Sequence, residues 1–333
     1  MVTIYGDKDA DLSLLKDRRV GTIGYGNQGR AQALNMRDSG IHVTVGNMND
    51  NYREQAIADG FDVVAFAEAS RICDVLLILI PDEVQPGVFE TEIAPNLEAG
   101  NVLCFASGYN VHYQLIGPGE DIDVIMVAPR MIGKAVRDLY TDGHGYPCLV
   151  GVEHDASGKA LEIALGIAKA IGATRLGAFA SSFREETLID LFAEQMLWPG
   201  INKLATVYFE KLVENGCDPD IVATELHMSG EFLEIAKAMI TEGFFKQLKL
   251  HSHTSQYGQL SRADGMYTPD LAKHVDDVIE EIASGAFARE WTKEQENGLP
   301  ELEKLWKKAL AHPISQAEER LDELRKAVAR AHL

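Results

Sequence analysis

The hexapeptide Gly24-Tyr25-Gly26-Asn27-Gln28-Gly29 lies between a short β-branched run at 20–23 and a stretch with apolar residues at helical spacing. No other feature constrains the fold as much. In a G-x-G-x-x-G turn the first glycine makes the tight strand-to-helix bend and the second lets backbone approach a pyrophosphate. The third lets helix and strand pack closely, and the helix N-terminus faces the anion. The glycine pattern alone is weak, but placed after a first strand and before a helix it marks a dinucleotide-binding α/β domain. The next 150 or so residues continue in kind. Strand-like runs at 19–23, 42–45, 75–80, 102–105, 124–127, 148–152 and 175–178 alternate with helical stretches such as 29–39 and 157–171. That alternation predicts a parallel sheet covered on both faces. From Ser182 onward helical segments follow one another with little that reads as strand. Two domains are expected: a Rossmann-type dinucleotide-binding domain over 1–181 and an all-α domain over 182–328. The last thirty residues, rich in Glu, Arg, Lys and Ala, read as a solvated helix.

The choice of nicotinamide dinucleotide falls to the loop after the second strand, 46–52. A 2′-phosphate calls for basic or hydroxyl groups there, and a 2′-hydroxyl for a carboxylate or amide. The loop carries Asn47 and Asp50 and has no basic residue before Arg53. An Asp50–phosphate contact would cost on the order of 1–2 kcal/mol or more near a protein surface, so NADH is favoured over NADPH. The competing reading has Asp50 in water and Arg53 folded back onto the phosphate.

In the helical half, Ser182-Phe183-Arg184-Glu185 has the spacing of a capping box and marks a helix start. On that helix Asp190 and Glu194 are four apart and share a face. Two acids so spaced usually mark a wet face. Here Leu188, Ile189, Leu191, Phe192, Met196, Leu197 and Trp198 surround them, and a helix apolar nearly all round is expected to be buried. Buried carboxylates need cations or hydrogen bonds, and hard oxygen donors suit Mg²⁺. A second helix offers Glu225, His227 and Glu231. His251 and His253 read as polar residues rather than a metal pair.

Acidic residues number 51 against 31 Lys and Arg, a formal charge of −20, which disfavours nucleic acid and anionic membrane as partners. The longest apolar run, 75–81, is too short to span a bilayer. Four scattered cysteines with no C-x-x-C argue against a disulfide frame or structural zinc and fit a reducing compartment. The opening sequence lacks the features of a secretion signal, so a cytoplasmic location is expected.

The segments 5–14 (YGDKDADLSL), 23–29, 81–85 (PDEVQ), 105–112, 127–129, 185–195 (EETLIDLFAEQ), 252–258 (SHTSQYG), 285–291 (GAFAREW) and 312–314 (HPI) occur in this order. Together they resemble the ketol-acid reductoisomerase family, class I, over nearly the entire chain. The resemblance implies a Rossmann domain followed by a knotted helical domain. It implies a Mg²⁺-assisted alkyl shift on a 2-hydroxy-3-keto acid of the 2-acetolactate type, then reduction by a nicotinamide cofactor, in branched-chain amino-acid biosynthesis. It also implies a homo-oligomer. By position it assigns Gly24, Tyr25, Gly26, Asn27, Gln28, Asp82, Glu83, Val84, Gln85 and Gly133 to the cofactor. Asp190 would bridge two magnesium ions, with Glu194 on one of them, and Ser252 would contact substrate.

The chain also departs from the family. Ser107 stands where the family has its active-site histidine, and Arg130 where it has a lysine. Asn47 and Asp50 replace an NADPH-binding Arg and Ser. The two glutamates of the second helix align as Glu225 and Ser229 from one side and as His227 and Glu231 from the other. Three readings follow: a working reductoisomerase; a descendant that has lost isomerisation and reduces a 2-keto acid or related carbonyl; and a non-catalytic nucleotide-binding sensor.

Overall fold

The structure is a computed structural model and describes residues 1–331. It contains two compact units, one from Met1 to Asp190 and one from Leu191 on. The helix that opens after Ser182 thus belongs, through Asp190, to the first.

The first unit is built on a nine-stranded sheet. Its strands are β1 (Ile4–Tyr5), β2 (Val20–Ile23), β3 (Val43–Gly46), β4 (Asp62–Val64), β5 (Val75–Ile78), β6 (Val102–Phe105), β7 (Asp123–Pro129), β8 (Cys148–His154) and β9 (Ala178–Ala180). They lie in the order β1-β9-β8-β7-β6-β5-β2-β3-β4. β2, β3, β5 and β6 are buried at every position. Both faces are covered, so their apolar runs are continuous instead of alternating with polar residues. The two-residue side-chain period still sorts them: Val20, Val45, Leu77 and Cys104 enter the core on one face, and Ile23, Leu76, Ile78 and Phe105 the core on the other. The chain leaves β2 toward β3 and β4, then returns to lay β5 on the other side of β2. That reversal opens a crevice at the carboxyl ends of β2 and β5, the place where doubly wound sheets bind ligands.

The sheet is mixed, which corrects the all-parallel expectation. β7 and β8 run antiparallel, with Pro129 opposite Cys148, and β1 pairs antiparallel with β9. The cause is the path of the intervening helix, Gly133–Thr141. It packs on helix α1 (Asn27–Asp38) and does not return along the sheet, so the chain re-enters where it left. Two short edge strands, β1 and β4, are absent from the sequence reading. The expected strand at 175–178 starts later, because Ala173–Arg175 forms a 3₁₀ turn and Gly177 (φ 114°) breaks the run. Cys73, Cys104 and Cys148 are free and buried, and burial pushes their thiols up to about 11, 12 and 12, which makes them poor nucleophiles.

The second unit is helical. Asp218 caps helix Pro219–Ala223 by accepting from the amides of Asp220 and Ile221, and Thr268 caps Pro269–Ala283 through Leu271. The terminal helix Pro313–Ala331 is more than a solvated rod. Its Ala317 is fully buried in a small core with Phe209, Val222 and Ala223, and Arg320 pairs with Asp220 at 2.5 Å. Residues 332 and 333 of the expected terminal helix lie outside the described residues. Among the described residues no helix is long and apolar enough to cross a membrane.

Candidate functional site

Gly24 follows β2 with φ 101°, a left-handed conformation that favours glycine. A side chain at Gly29 would place Cβ 2.3 Å from the Gly24 carbonyl oxygen, whereas Gly26 faces open space. Backbone amides at the start of α1 are therefore bare toward the crevice, as a pyrophosphate requires. Gly133 completes the turn from the far side. Its Cβ position lies 2.3 Å from the Asn27 carbonyl oxygen, and Gln28 Nε2 donates to the Met131 carbonyl at 2.9 Å. Helix α1 and the start of Gly133–Thr141 are thus locked together, and a cavity of about 290 Å³ lies beside them, lined among others by Gly26, Asn27, Arg30, Tyr52 and Lys134.

The loop after β3 is tied to this turn. Buried Asn47 accepts from the Tyr25 amide at 3.1 Å and donates to Asp50 Oδ1 at 2.7 Å. The same Asp50 oxygen caps helix α2 (Asn51–Ala58) by accepting from the amides of Tyr52 and Arg53, each at 3.0 Å. Arg53 is spent on the main chain: its guanidinium donates to the carbonyls of Asn47, Val63 and Val64 at 3.1–3.3 Å. The loop therefore presents a carboxylate with its one nearby arginine already engaged. After β5, Gln85 donates to the Ile80 carbonyl and to Asp82 Oδ1, and Glu83 and Val84 lie between them. Asn110, buried and unremarked in the sequence, donates to the Asp82 carbonyl and to Gln85 Oε1, each at 3.0 Å, and so joins the β5 and β6 loops.

The carboxylate helix, α3 (Phe183–Phe192), begins where the capping signal places it. Ser182 Oγ accepts from the Glu185 amide at 3.1 Å, and Glu185 turns to the Ser181 hydroxyl at 2.7 Å. The expectation that this helix and the one after it bury their apolar faces does not hold in the single chain: Ile189, Leu197 and Trp198 are 51%, 53% and 55% exposed. Glu194 is exposed and Asp190 half-buried. The buried carboxylate is Glu186, with its side chain 1% exposed. Its Oε2 accepts from the Gly108 amide at 2.7 Å and its Oε1 from Arg130 Nη1 at 2.9 Å, while Arg130 Nη2 donates to Asp190 Oδ1.

The charges in this cluster are unequally supported. Burial pushes the Glu186 carboxyl up to about 7, against the Gly108 amide and Arg130, which favour its charged form. Burial also opposes the Arg130 charge, but Asp190 first and Glu186 second more than compensate, and its pKa is raised. Because Glu186 holds a proton in the fold above its ordinary value of 4.5, its stabilising contribution is full at low pH and is lost as pH rises through about 7. In the metal-free protein Glu186→Gln should therefore gain stability relative to wild type between about pH 5 and about pH 8, by on the order of a few kcal/mol. Urea denaturation across that range reads the difference. Parallel pH profiles would contradict the assignment.

Ser107, at the end of β6, accepts from the Tyr109 amide at 3.2 Å. In the second unit Glu225 lies in a π-helical turn, Thr224–Met228, and Glu194 in another, Ala193–Leu197, irregularities common at functional sites. Glu231 opens helix Glu231–Thr241; it and Glu225 are exposed, while His227 Nε2 is engaged with Glu318 at 2.8 Å. Ser252 caps helix His253–Ala263 by accepting from the Ser255 amide, and His251 bonds Gln247. Among the described residues no three His, Cys, Asp or Glu side chains converge as a metal cage. Mg²⁺ does not require one, since it takes one or two carboxylates and keeps its waters.

Residues 14–177 match the family model for the acetohydroxy acid isomeroreductase NADPH-binding domain, and residues 183–327 that for the ketol-acid reductoisomerase C-terminal domain. The chain belongs to the ketol-acid reductoisomerase family. It is 46% identical to a putative ketol-acid reductoisomerase 3 of Saccharolobus solfataricus, covering 94% of this chain and 95% of that one. It is 45% identical to a ketol-acid reductoisomerase (NADP(+)) of Methanopyrus kandleri, with coverage of 96% and 98%. A solved NADH-preferring ketol-acid reductoisomerase from an uncultured archaeon superposes with a TM-score of 0.92 at 36% identity, over 97% of this chain and 99% of that one. Family membership makes the protein a nicotinamide-dependent oxidoreductase acting on a small keto acid.

Proposed function

We propose that the protein is a working ketol-acid reductoisomerase that takes a 2-acetolactate-type substrate, prefers NADH, and holds Mg²⁺ through Asp190 and Glu194. The observation that carries this reading is the end-to-end family match combined with the retained Asp190 and Glu194. Their hard oxygens fit Mg²⁺, and Asp190 already stabilises a cation in the form of Arg130. When bound, Mg²⁺ supplies Lewis-acid polarisation of the substrate's carbonyl and alkoxide oxygens. The chain's own residues do the rest. The start of α1 seats the pyrophosphate, and the loop after β3 repels a 2′-phosphate. Arg130 holds charge without exchanging a proton. Ser107 is a poor acid or base near neutrality and serves to orient a water or substrate oxygen. Glu186, whose carboxyl burial pushes up to about 7, holds Arg130 from the buried side. A second cation would draw on Glu225 or Glu231, since His227 is committed to Glu318. NADH oxidation that tracks 2-acetolactate consumption in Mg²⁺ and stops on chelation supports this function; consumption unaffected by chelation sinks the metal role.

A second reading, reduction without isomerisation, draws on Ser107 and Arg130, which stand where the family has a histidine and a lysine. Under either reading the expected location is the cytoplasm. NADH should exceed NADPH in kcat/KM. Asp50→Ser removes the carboxylate yet retains a helix cap, so it should narrow the ratio by about tenfold, and adding Asn47→Arg should narrow it further. A wild type that uses NADPH equally well would contradict the loop's assignment.

The exposed apolar side chains of Ile189, Leu197, Trp198, Phe244 and Phe245 support a homo-oligomer. Light scattering should give a multiple of 36.6 kDa, and a single-chain mass at micromolar concentration would refute it.

A further inference from the structure

The Arg130 guanidinium is clamped in a way that bears on the metal. One arm is fixed in a buried place by Glu186, itself held by the Gly108 amide. The other arm lies on Asp190 Oδ1, on the carboxylate assigned to the cation under the reading above. The planar fork reaches both carboxylates at once, so the arm on Asp190 is pre-organised. Arginine stays protonated at any working pH. A divalent cation arriving at Asp190 therefore meets an oxygen already paired and a fixed positive charge beside it.

We propose that Arg130 sets the divalent-cation affinity of this enzyme, acting as a built-in counter-cation that competes with Mg²⁺ for Asp190. The inference rests on Asp190 being a metal ligand. Arg130 is on this account a positioning residue: it holds the Asp190 carboxylate in place and lowers its affinity for a second cation. Lysine in its place would carry the same charge on a compact, flexible ammonium whose three donors lack the rigid planar fork, and so would release Asp190 more readily.

Calorimetric titration of MnCl₂, and separately MgCl₂, into the full-length protein without cofactor or substrate tests this directly. Arg130→Gln should tighten the metal Kd at least about tenfold and Arg130→Lys by a smaller factor, about two- to fivefold. A merely structural arginine would give unchanged or weaker binding in both variants, and that result overturns the proposal. If Arg130→Gln leaves Glu186 too poorly supported to fold, Arg130→Lys and the double variant Arg130→Gln/Glu186→Gln carry the same comparison. Asp190→Asn serves as the control. Should it bind metal as wild type does, or should neither bind, the metal reading itself fails. Should binding depend on Asp190 but not on residue 130, only the role of Arg130 fails.

Discussion

Asp190→Asn is expected to lower Mg²⁺-dependent turnover by at least about a thousandfold, with NADH affinity changed by less than about threefold. Asparagine keeps the shape of the side chain and can still accept from Arg130 Nη2, so the fold of the cluster survives. What it loses is the negative charge that, on the proposed function, would stabilise a divalent cation. Among the described residues the glycine turn at Gly24–Gly29 shares no hydrogen bond with Arg130, Glu186 or Asp190, which is why cofactor binding should be spared. Steady-state rates over a Mg²⁺ series, together with NADH fluorescence titration, separate the two effects. Glu194→Gln should act in the same direction. A variant retaining more than about a tenth of the wild-type rate would mean that Asp190 serves only to balance Arg130.

Gly133→Ala should weaken NADH binding by on the order of ten- to a hundredfold and lower Tm as well. The added methyl would lie 2.3 Å from the Asn27 carbonyl oxygen and 2.4 Å from its carbon, both backbone atoms. Neither can yield without shifting the first turn of α1, whose amides would face a bound pyrophosphate. A side chain that merely crowded a flexible neighbour would cost far less. Unchanged affinity and unchanged Tm would show that Gly133–Thr141 and α1 are not locked as described.

Local features of this fold were open to reading from sequence, and long-range ones were not. The glycine turn, the buried β-branched runs and the capping serine at 182 each act within a few residues, and, the strand after Gly177 excepted, the elements they mark begin within a residue or two of where those signals fall. The antiparallel return of β8 depends on how Gly133–Thr141 packs against a helix a hundred residues earlier, and no local pattern encodes that. Glu186 is the sharpest case. In sequence it is one acid of a Glu-Glu pair behind a capping serine, and the cap draws attention to Glu185. Its burial is set by the Gly108 amide 78 residues away and by Arg130 56 residues away. Asn110 was missed for the same reason. The apolar surround of Asp190 and Glu194 was legible, but Ile189, Leu197 and Trp198 stay about half-exposed in the single chain, because an apolar periodicity does not say what covers it.

The most direct test of the central claim is the pair of kcat/KM values, with NADH and Mg²⁺, for 2-acetolactate and for 3-hydroxy-3-methyl-2-oxobutanoate. The second compound is the product of the alkyl shift and needs only hydride. A working reductoisomerase consumes both, with 2-acetolactate at a rate within about a hundredfold of the pre-isomerised ketone. Reduction of 3-hydroxy-3-methyl-2-oxobutanoate with no turnover of 2-acetolactate would contradict the account and leave a reductase that no longer isomerises.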